Sequence, residues 1–284
     1  MAKAENKTSK FLKQILKYLV LIAISIIVVF PFYIMLIESF HPNLVSFPYP
    51  VECIPTTISL QNYQYLFSHN PVLKWISNSL VISIGTSVAQ VLLCSMAAFG
   101  FQRTDFKGKK AIESVLMIML VIPIQTRILP TFLILSKINW VNTFLAWIPF
   151  LVDAFGVFLM MQYMESIPNS LDEASFIDGA SLWQTYSMVI MPQTKPAMVV
   201  LFTFNFINQW NDFLYPLIMI RSDRMYTLQL GVANIFSSAQ RGESGGIGVA
   251  LAAAVISFVP TLVIYLVFQK QIVTGVNLSS GIKG

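Results

Sequence analysis

Four polar residues, Asn205, Asn208, Asp212 and Tyr215, interrupt an otherwise apolar run at spacings of three, four and three. That rhythm places them on one face of a helix. Phe206, Trp210, Phe213 and Leu217 fall largely on the other side. Amides, a carboxylate and a phenol can hold a polar solute by hydrogen bonds. The same groups can equally tie one apolar helix to another, at roughly 0.6–2 kcal/mol per contact. Spacing alone leaves both uses open. A second cluster, Gln125-Thr126-Arg127, lies between Pro123 and Pro130. Two prolines in one apolar run predict a kinked or broken helix, which is tolerated where it lines a cavity or is buried in protein. Arg127 could instead snorkel outward. Asp153 is either a cavity group or a partner for another helix. Ser79, Ser83 and Ser87 repeat every four residues and read as a close helix-packing face.

Bond-breaking chemistry finds little support. No H-E-x-x-H or C-x-x-C motif is present, and no segment fits the phosphate-binding G-x-x-x-x-G-K-[ST]. Cys53 and Cys94 make a poor structural pair, since Cys94 lies inside an apolar run. His41 and His69 are too few for a His-rich metal site. Glu173 and Asp178 are five apart on a loop, which is no argument for an acid–base pair. The expectation is a chain with no catalytic residue, no metal and no cofactor of its own.

The elements that must position these groups follow from composition. The 284 residues are 56% hydrophobic and only 11% charged, with mean hydropathy +0.69. A soluble domain carries roughly 25% charged residues. A soluble, disordered or disulfide-scaffold protein is therefore excluded. Spanning a bilayer takes roughly 20 apolar residues per helix. Six stretches qualify: Leu16–Ile37, Ile76–Phe101, Ala111–Leu135, Phe144–Met164, Ala197–Ile220 and Val249–Phe268. The expected fold is all-α and polytopic. An N-terminal arm (1–15) precedes a membrane domain (16–270) and a tail (271–284). The first span reads as an uncleaved anchor, because its apolar run is too long for a signal peptide. Twelve of the 18 Lys and Arg residues fall on the side of the two termini. The positive-inside rule then puts both termini in the cytoplasm. The net charge of +5 is thus a topology signal, and no nucleic-acid partner is expected.

The loop at about 165–196 is built to dock. Ser170 and Glu173 have the spacing of a capping box, and Gly179 stands where a glycine would end that helix. Ser181 and Gln184 have the same box spacing, and Met191-Pro192 is expected to close a second helix. Leu171, Ala174 and Ile177 lie near one face. A helix of about two turns is not stable alone. That face must lie against the chain's own spans or against a partner.

Glu173-Ala174-Ser175, three residues, Gly179, nine residues, then Val189-Ile190-Met191-Pro192 resembles the EAA loop of ABC-importer permeases. The family pattern is E-A-A, three residues, G, nine residues, I-x-L-P. Ser175, Val189 and Met191 replace its second alanine, isoleucine and leucine. Ile177-Asp178-Gly179-Ala180-Ser181 is similar to the carbohydrate branch. Tyr63 with Asn78-Ser79, then Pro123, Gln125 and Pro130, Asn142-Thr143, and Trp210-Asn211-Asp212-Phe213 with Pro216-Leu217 resemble further family segments in the same order. Gln269, Gly275 and Gly281-Ile282-Lys283-Gly284 resemble its tail, with Gly281 and Ile282 as departures from A-V-K-G. The second permease of maltose-type sugar importers is most similar.

The resemblance implies a type I importer permease fold in a bacterial cytoplasmic membrane. It implies a second homologous permease, a cytoplasmic ATPase dimer that binds ATP and Mg, and an extracytoplasmic sugar-binding protein as partners, within membrane lipid. Glu173, Ala174, Ser175, Asp178, Gly179 and Pro192 would contact the ATPase, as would the tail Gly281, Ile282, Lys283 and Gly284. Asn205, Asn208, Asn211, Asp212, Tyr215 and Gln125 would line the path of a sugar, a di- or oligosaccharide. Two alternatives stand beside it. One is an ion-gradient-driven transporter using Asp153, Asp212 and Arg127. The other is an ABC permease for a non-sugar solute such as a polyol phosphate.

Overall fold

The computed structural model describes residues 7–42, 53–55, 57–242 and 245–279. The first six residues, and with them Lys3, lie outside that description, as do Gly281, Ile282, Lys283 and Gly284. Every regular element among the described residues is helical. In chain order they are α1 (Lys7–Ser39), α2 (Gln61–His69), α3 (Val72–Arg103), α4 (Lys109–Val121), α5 (Ile124–Lys137), a 3-10 segment (Phe144–Phe150) and α6 (Ala154–Glu165). Then come α7 (Ser170–Ile177), α8 (Leu182–Gln184), a π-helical segment (Thr185–Ile190), α9 (Met191–Gln193), α10 (Lys195–Asn211) and α11 (Leu214–Met219). A 3-10 turn (Asp223–Met225), α12 (Leu228–Gln240) and α13 (Ile247–Ser279) complete the order.

Among the described residues three helices are long and apolar enough to cross a bilayer alone: Lys13–Ser39, Val72–Arg103 and Ile247–Gln271. Two further candidates are bent pairs. α4 and α5 turn by 109°, and the 3-10 segment and α6 by 44°. The first break falls at Ile122-Pro123, so the expected proline interruption is there, while Pro130 is carried inside α5. The fifth expected stretch, Ala197–Ile220, is not continuous. It breaks at Asp212-Phe213, between α10 and α11. Asp212 prefers to bond a backbone N–H locally, which competes with the helix ladder.

The chain forms two compact units. One comprises residues 1–70 with 232–257, the other 71–231 with 258–284. In the first, the Asn62 amide donates to the carbonyls of Ser39 and His41, each at 2.9 Å. Ser39 Oγ and the Tyr63 hydroxyl bond at 2.8 Å, and the rings of Phe40 and Tyr63 meet. These contacts close the end of α1. The most apolar stretch of α1 is wholly uncovered by the rest of the chain.

The second unit is organised on α3, which packs against α10 and α6. Ser79, Ser83, Ser87 and Ser95 are buried. Small side chains let helix backbones approach closely. Cys94, Ala98, Met160, Met164, Val157 and Leu201 fill one part of its interior. Ile82, Trp147, Tyr215 and Met219 fill another. Asn142 holds the left-handed region at φ 62°, and its Oδ1 accepts from the backbone N–H groups of Arg221 and Ser222, each at 3.0 Å.

α12 meets α3 at Gly231, where an added Cβ would be driven into the Trp75 ring. Trp75 is buried and cannot swing clear. Gly231→Ala is expected to cost about 1–3 kcal/mol, the usual range for overpacking. Heating in mild detergent with aggregation as readout checks this. Gly100→Ala, whose Cβ meets nothing within 4 Å, should be neutral by the same measurement.

Candidate functional site: a tethered loop and a polar cavity

α7 carries the segment singled out as a docking element. Its N-terminus does not form the expected Ser170–Glu173 box. Asn169 occupies the cap position in helical geometry, and Ser170 is already the first helical residue. The physical reason lies on α3. Arg103, its last residue, sends Nη1 to Asn169 Oδ1 at 2.6 Å, so that oxygen is taken. Arg103 Nε lies 2.7 Å from Asp172 Oδ2. Nη2 donates to the carbonyls of Ile167 at 2.8 Å and Met164 at 3.3 Å. One guanidinium therefore covers the open carbonyls after α6 and the acidic first turn of α7. Arg suits this task because its planar fork offers five donors in fixed geometry.

The other end of α7 follows the expectation. Gly179 has φ +82°. Ala180 N–H bonds the Ser175 carbonyl at 2.9 Å and Gly179 N–H that of Phe176 at 3.1 Å, the Schellman arrangement. Ser181 and Gln184 form a complete capping box. Helical winding does not stop at Met191-Pro192, as the sequence predicts; it continues through Gln193. The π-helical segment is the reason. Its wider turn, with Met191 N–H reaching the Tyr186 carbonyl, absorbs the bond that Pro192 cannot make. That turn also buries Tyr186, whose hydroxyl bonds Ser95 Oγ of α3 at 2.7 Å. Ser175 Oγ, bonded to Thr185 Oγ1 at 2.8 Å, ties α7 to the π segment.

The buried side of α7 is therefore Asp172 and Ser175. Leu171 packs against the core between α3, α6 and α10, whereas Ile177 of α7 is 86% exposed, Trp183 of α8 61% and Met188 of the π-helical segment 72%. Glu173, Ala174, Asp178, Gly179 and Pro192 are exposed with them. The expected face is thus divided: Leu171 rests on the chain's own helices, while Ala174 and Ile177 are exposed.

The second unit also encloses a cavity of about 410 Å³. Asn205, Asn208, Asp212, Tyr215 and Gln125 all line it, with Arg127 and Asp153. Asn211 does not. Its Nδ2 donates to the Ile207 carbonyl at 2.9 Å, and its amide pairs with Thr261 of α13 and Gln229. Several lining groups have local duties. The Tyr215 hydroxyl donates to the Ala146 carbonyl at 2.6 Å, and Asp212 Oδ1 accepts from Tyr215 N–H at 3.2 Å. Asn205 Nδ2 donates to Ser87 Oγ at 3.3 Å. Asp153 caps α6 through Gly156 N–H at 2.8 Å and accepts from Gln90 Nε2 at 2.7 Å. Gln90 and Gln209 were not apparent from the apolar pattern as lining residues, yet both line the cavity. The signal was present: each follows a member of a polar stripe, Ser87 and Asn205, by three or four positions.

Among the described residues no group of three or more His, Cys, Asp or Glu could hold a metal. Residues 242–246 spell G-x-S-x-G. A nucleophile elbow needs a strand before its turn, and here α12 precedes it.

A membrane component that is helical throughout its described residues, with a tethered loop and a polar cavity, is the class that these features define. Residues 90–276 match the family described as binding-protein-dependent transport system inner membrane component, and the chain belongs to it. It is 29% identical over 265 residues to the arabinooligosaccharides transport system permease protein AraQ of Bacillus subtilis strain 168, covering 92% of each chain. It is 31% identical to the trehalose/maltose transport system permease protein MalG of Thermococcus litoralis, covering 96% of this chain and 98% of that one. Its fold matches a chain of a bacterial ABC transporter involved in import of the acidic polysaccharide alginate. There the TM-score is 0.77 at 20% identity, over 93% of this chain and 98% of that one.

Burial holds the Asp172 carboxyl above the usual carboxylate range; Arg103 draws it back down, and Glu173 pushes it up. An acid raised in this way binds its proton more readily folded than unfolded. Its ionisation cost appears as pH climbs past the ordinary value and is relieved as pH falls. Arg103→Ala leaves that carboxylate buried without its partner, a loss of about 3 kcal/mol. Limited proteolysis should cut residues 165–180 faster in the variant at neutral pH, with the difference shrinking on acidification toward the carboxylate range. A difference that does not depend on pH would contradict the assignment.

Proposed function

We propose that this chain is one of two permease subunits of an ATP-driven importer of sugars, most simply di- or oligosaccharides. Its spans number six, with the bent pairs and the broken α10–α11 segment each counted once, and both termini are cytoplasmic. A second homologous permease completes the path, and two ATPases bind below. The family's printed description supports an extracytoplasmic binding protein as the deliverer of solute. Permeases for arabinooligosaccharides and for trehalose and maltose among the relatives support a sugar as that solute.

One observation carries the coupling role. An apolar face that this chain leaves open is held on α7 by a buried ion pair to the end of a spanning helix. A partner that grips Ile177 and Trp183 therefore grips α3 as well, through Arg103 and through Tyr186 with Ser95. α3 also lines the cavity at Gln90. Thirteen helical steps separate Gln90 from Arg103, roughly 20 Å of rigid rod. Movement of the ATPases would be delivered to the cavity wall along that rod. Hydrolysis belongs to the partner, and the permease supplies the lever and the path.

Ile177→Asp combined with Trp183→Asp should reduce the P-loop ATPase recovered with the tagged chain in gentle detergent by about tenfold or more. A charge desolvated in an apolar interface is costly. Membrane abundance of the variant should be unchanged, since both side chains are exposed. Undiminished ATPase recovery would overturn the docking assignment. Ion-driven uptake by the chain alone in liposomes would overturn the importer itself.

A further inference from the structure

α1 begins with a stripe of like charge. Lys7, Lys10, Lys13 and Lys17 follow one another at spacings of three, three and four. At about 100° per residue, that confines all four to an arc of about 120°. Phe11, Leu12, Ile15, Leu16 and Leu19 fall on the opposite side of the same turns. Lys13 and Lys17 are exposed, and so are Phe11, Ile15, Leu16 and Leu19. The segment is a basic amphipathic helix. It runs without a break into the first span, since α1 is one helix of 33 residues from Lys7 to Ser39.

Topology asks only for a count of cations on one side of the membrane. It does not ask that they share a face. Sharing one carries a cost. Like charges three and four apart repel along a helix, and cations at its N-terminal end oppose the helix dipole. No acidic residue stands between Lys7 and Ile37, so the segment itself offers no counter-charge. An anion lying along the stripe removes that cost. The position of the stripe says which anion. Lys17 stands 22 residues before Ser39, roughly 33 Å and so about the thickness of a bilayer core. Lys13, Lys10 and Lys7 continue for roughly 15 Å more. A helix longer than its bilayer leans. Leaning toward the apolar arc sets that arc against the acyl boundary and the lysine arc among the headgroups.

We propose that this stripe is a docking surface for anionic phospholipid headgroups of the cytoplasmic leaflet, met by Lys7, Lys10, Lys13 and Lys17. The inference rests on the importer reading for the cytoplasmic side of the N-terminus. It goes further in giving α1 a lipid class as its partner.

The test uses the chain with its co-purifying partners in phosphatidylcholine vesicles. Gln14 is exposed on the lysine arc, so Gln14→Cys carries an NBD fluorophore there. Cys53→Ser removes the exposed native thiol, and Cys94 is buried. Quenching is compared between doxyl-labelled phosphatidylglycerol and doxyl-labelled phosphatidylcholine at equal mole fraction. Phosphatidylglycerol should quench at least about twofold more strongly, through its attraction to the lysines. The excess should vanish at about 1 M salt, where the Debye length is about 3 Å. Lys7→Gln, Lys10→Gln, Lys13→Gln and Lys17→Gln together should abolish it. A second variant keeps every charge and moves two of them off the arc: Thr8→Lys with Lys10→Thr, and Leu12→Lys with Lys13→Leu. There the excess should fall toward parity. Equal quenching by the two lipids with the native stripe, an excess that survives salt, or an excess untouched by the exchange would overturn the proposal. Both leaflets hold the probe, so the ratio does not depend on which way the chain inserts. The cytoplasmic placement fails or survives separately, by whether membrane-impermeant dithionite bleaches the same label in right-side-out membrane vesicles.

Discussion

The placement of α7 depends above all on one guanidinium. Arg103 ends α3, pairs with Asp172 at 2.7 Å, and holds Asn169 and the carbonyls of Met164 and Ile167. A helix of eight residues has no independent stability. It persists here because its acidic first turn and the carbonyls before it meet at a single charge. Burying an ion pair gains little net stability over an apolar pair. What it contributes is direction: α7 has one placement in which no charge is stranded.

The consequences run both ways along α3. At its last residue the tether seats Leu171 on the core and leaves Ile177 exposed. Higher up, the buried serines let α10 come close. That closeness sets Gln90 opposite Asn205 and Gln209 in a shared cavity. The most apolar stretch of α1 is likewise exposed. The polypeptide is folded as a part, with open apolar surface both along a span and on the loop.

Much of this could be read in advance because it rests on period and spacing. The polar face of α10, the glycine after α7, the Ser181–Gln184 box and the break near Pro123 are local consequences of residue type. The misreadings share a cause. Ser170 did not cap α7 because Arg103, 67 positions earlier in the chain, had already claimed Asn169. Pro192 did not end its helix because a π turn widened ahead of it. Asn211 turned to Thr261 and Gln229 although its neighbours turned to the cavity. Each was decided by a contact or a backbone adjustment that no window of sequence contains. In the sequence Arg103 is simply one of the twelve basic residues that set topology, and its distance from Asp172 hides the pairing.

The proposed role of Arg103 is to carry force between α7 and the cavity. The direct measurement is sugar moved per ATP hydrolysed, in proteoliposomes holding the complete importer with its binding protein. Arg103→Ala should keep ATPase activity while the ratio falls about tenfold or more, and Arg103→Asp with Asp172→Arg should recover part of it. A normal ratio in Arg103→Ala would show that force reaches the cavity by another route and would contradict the account.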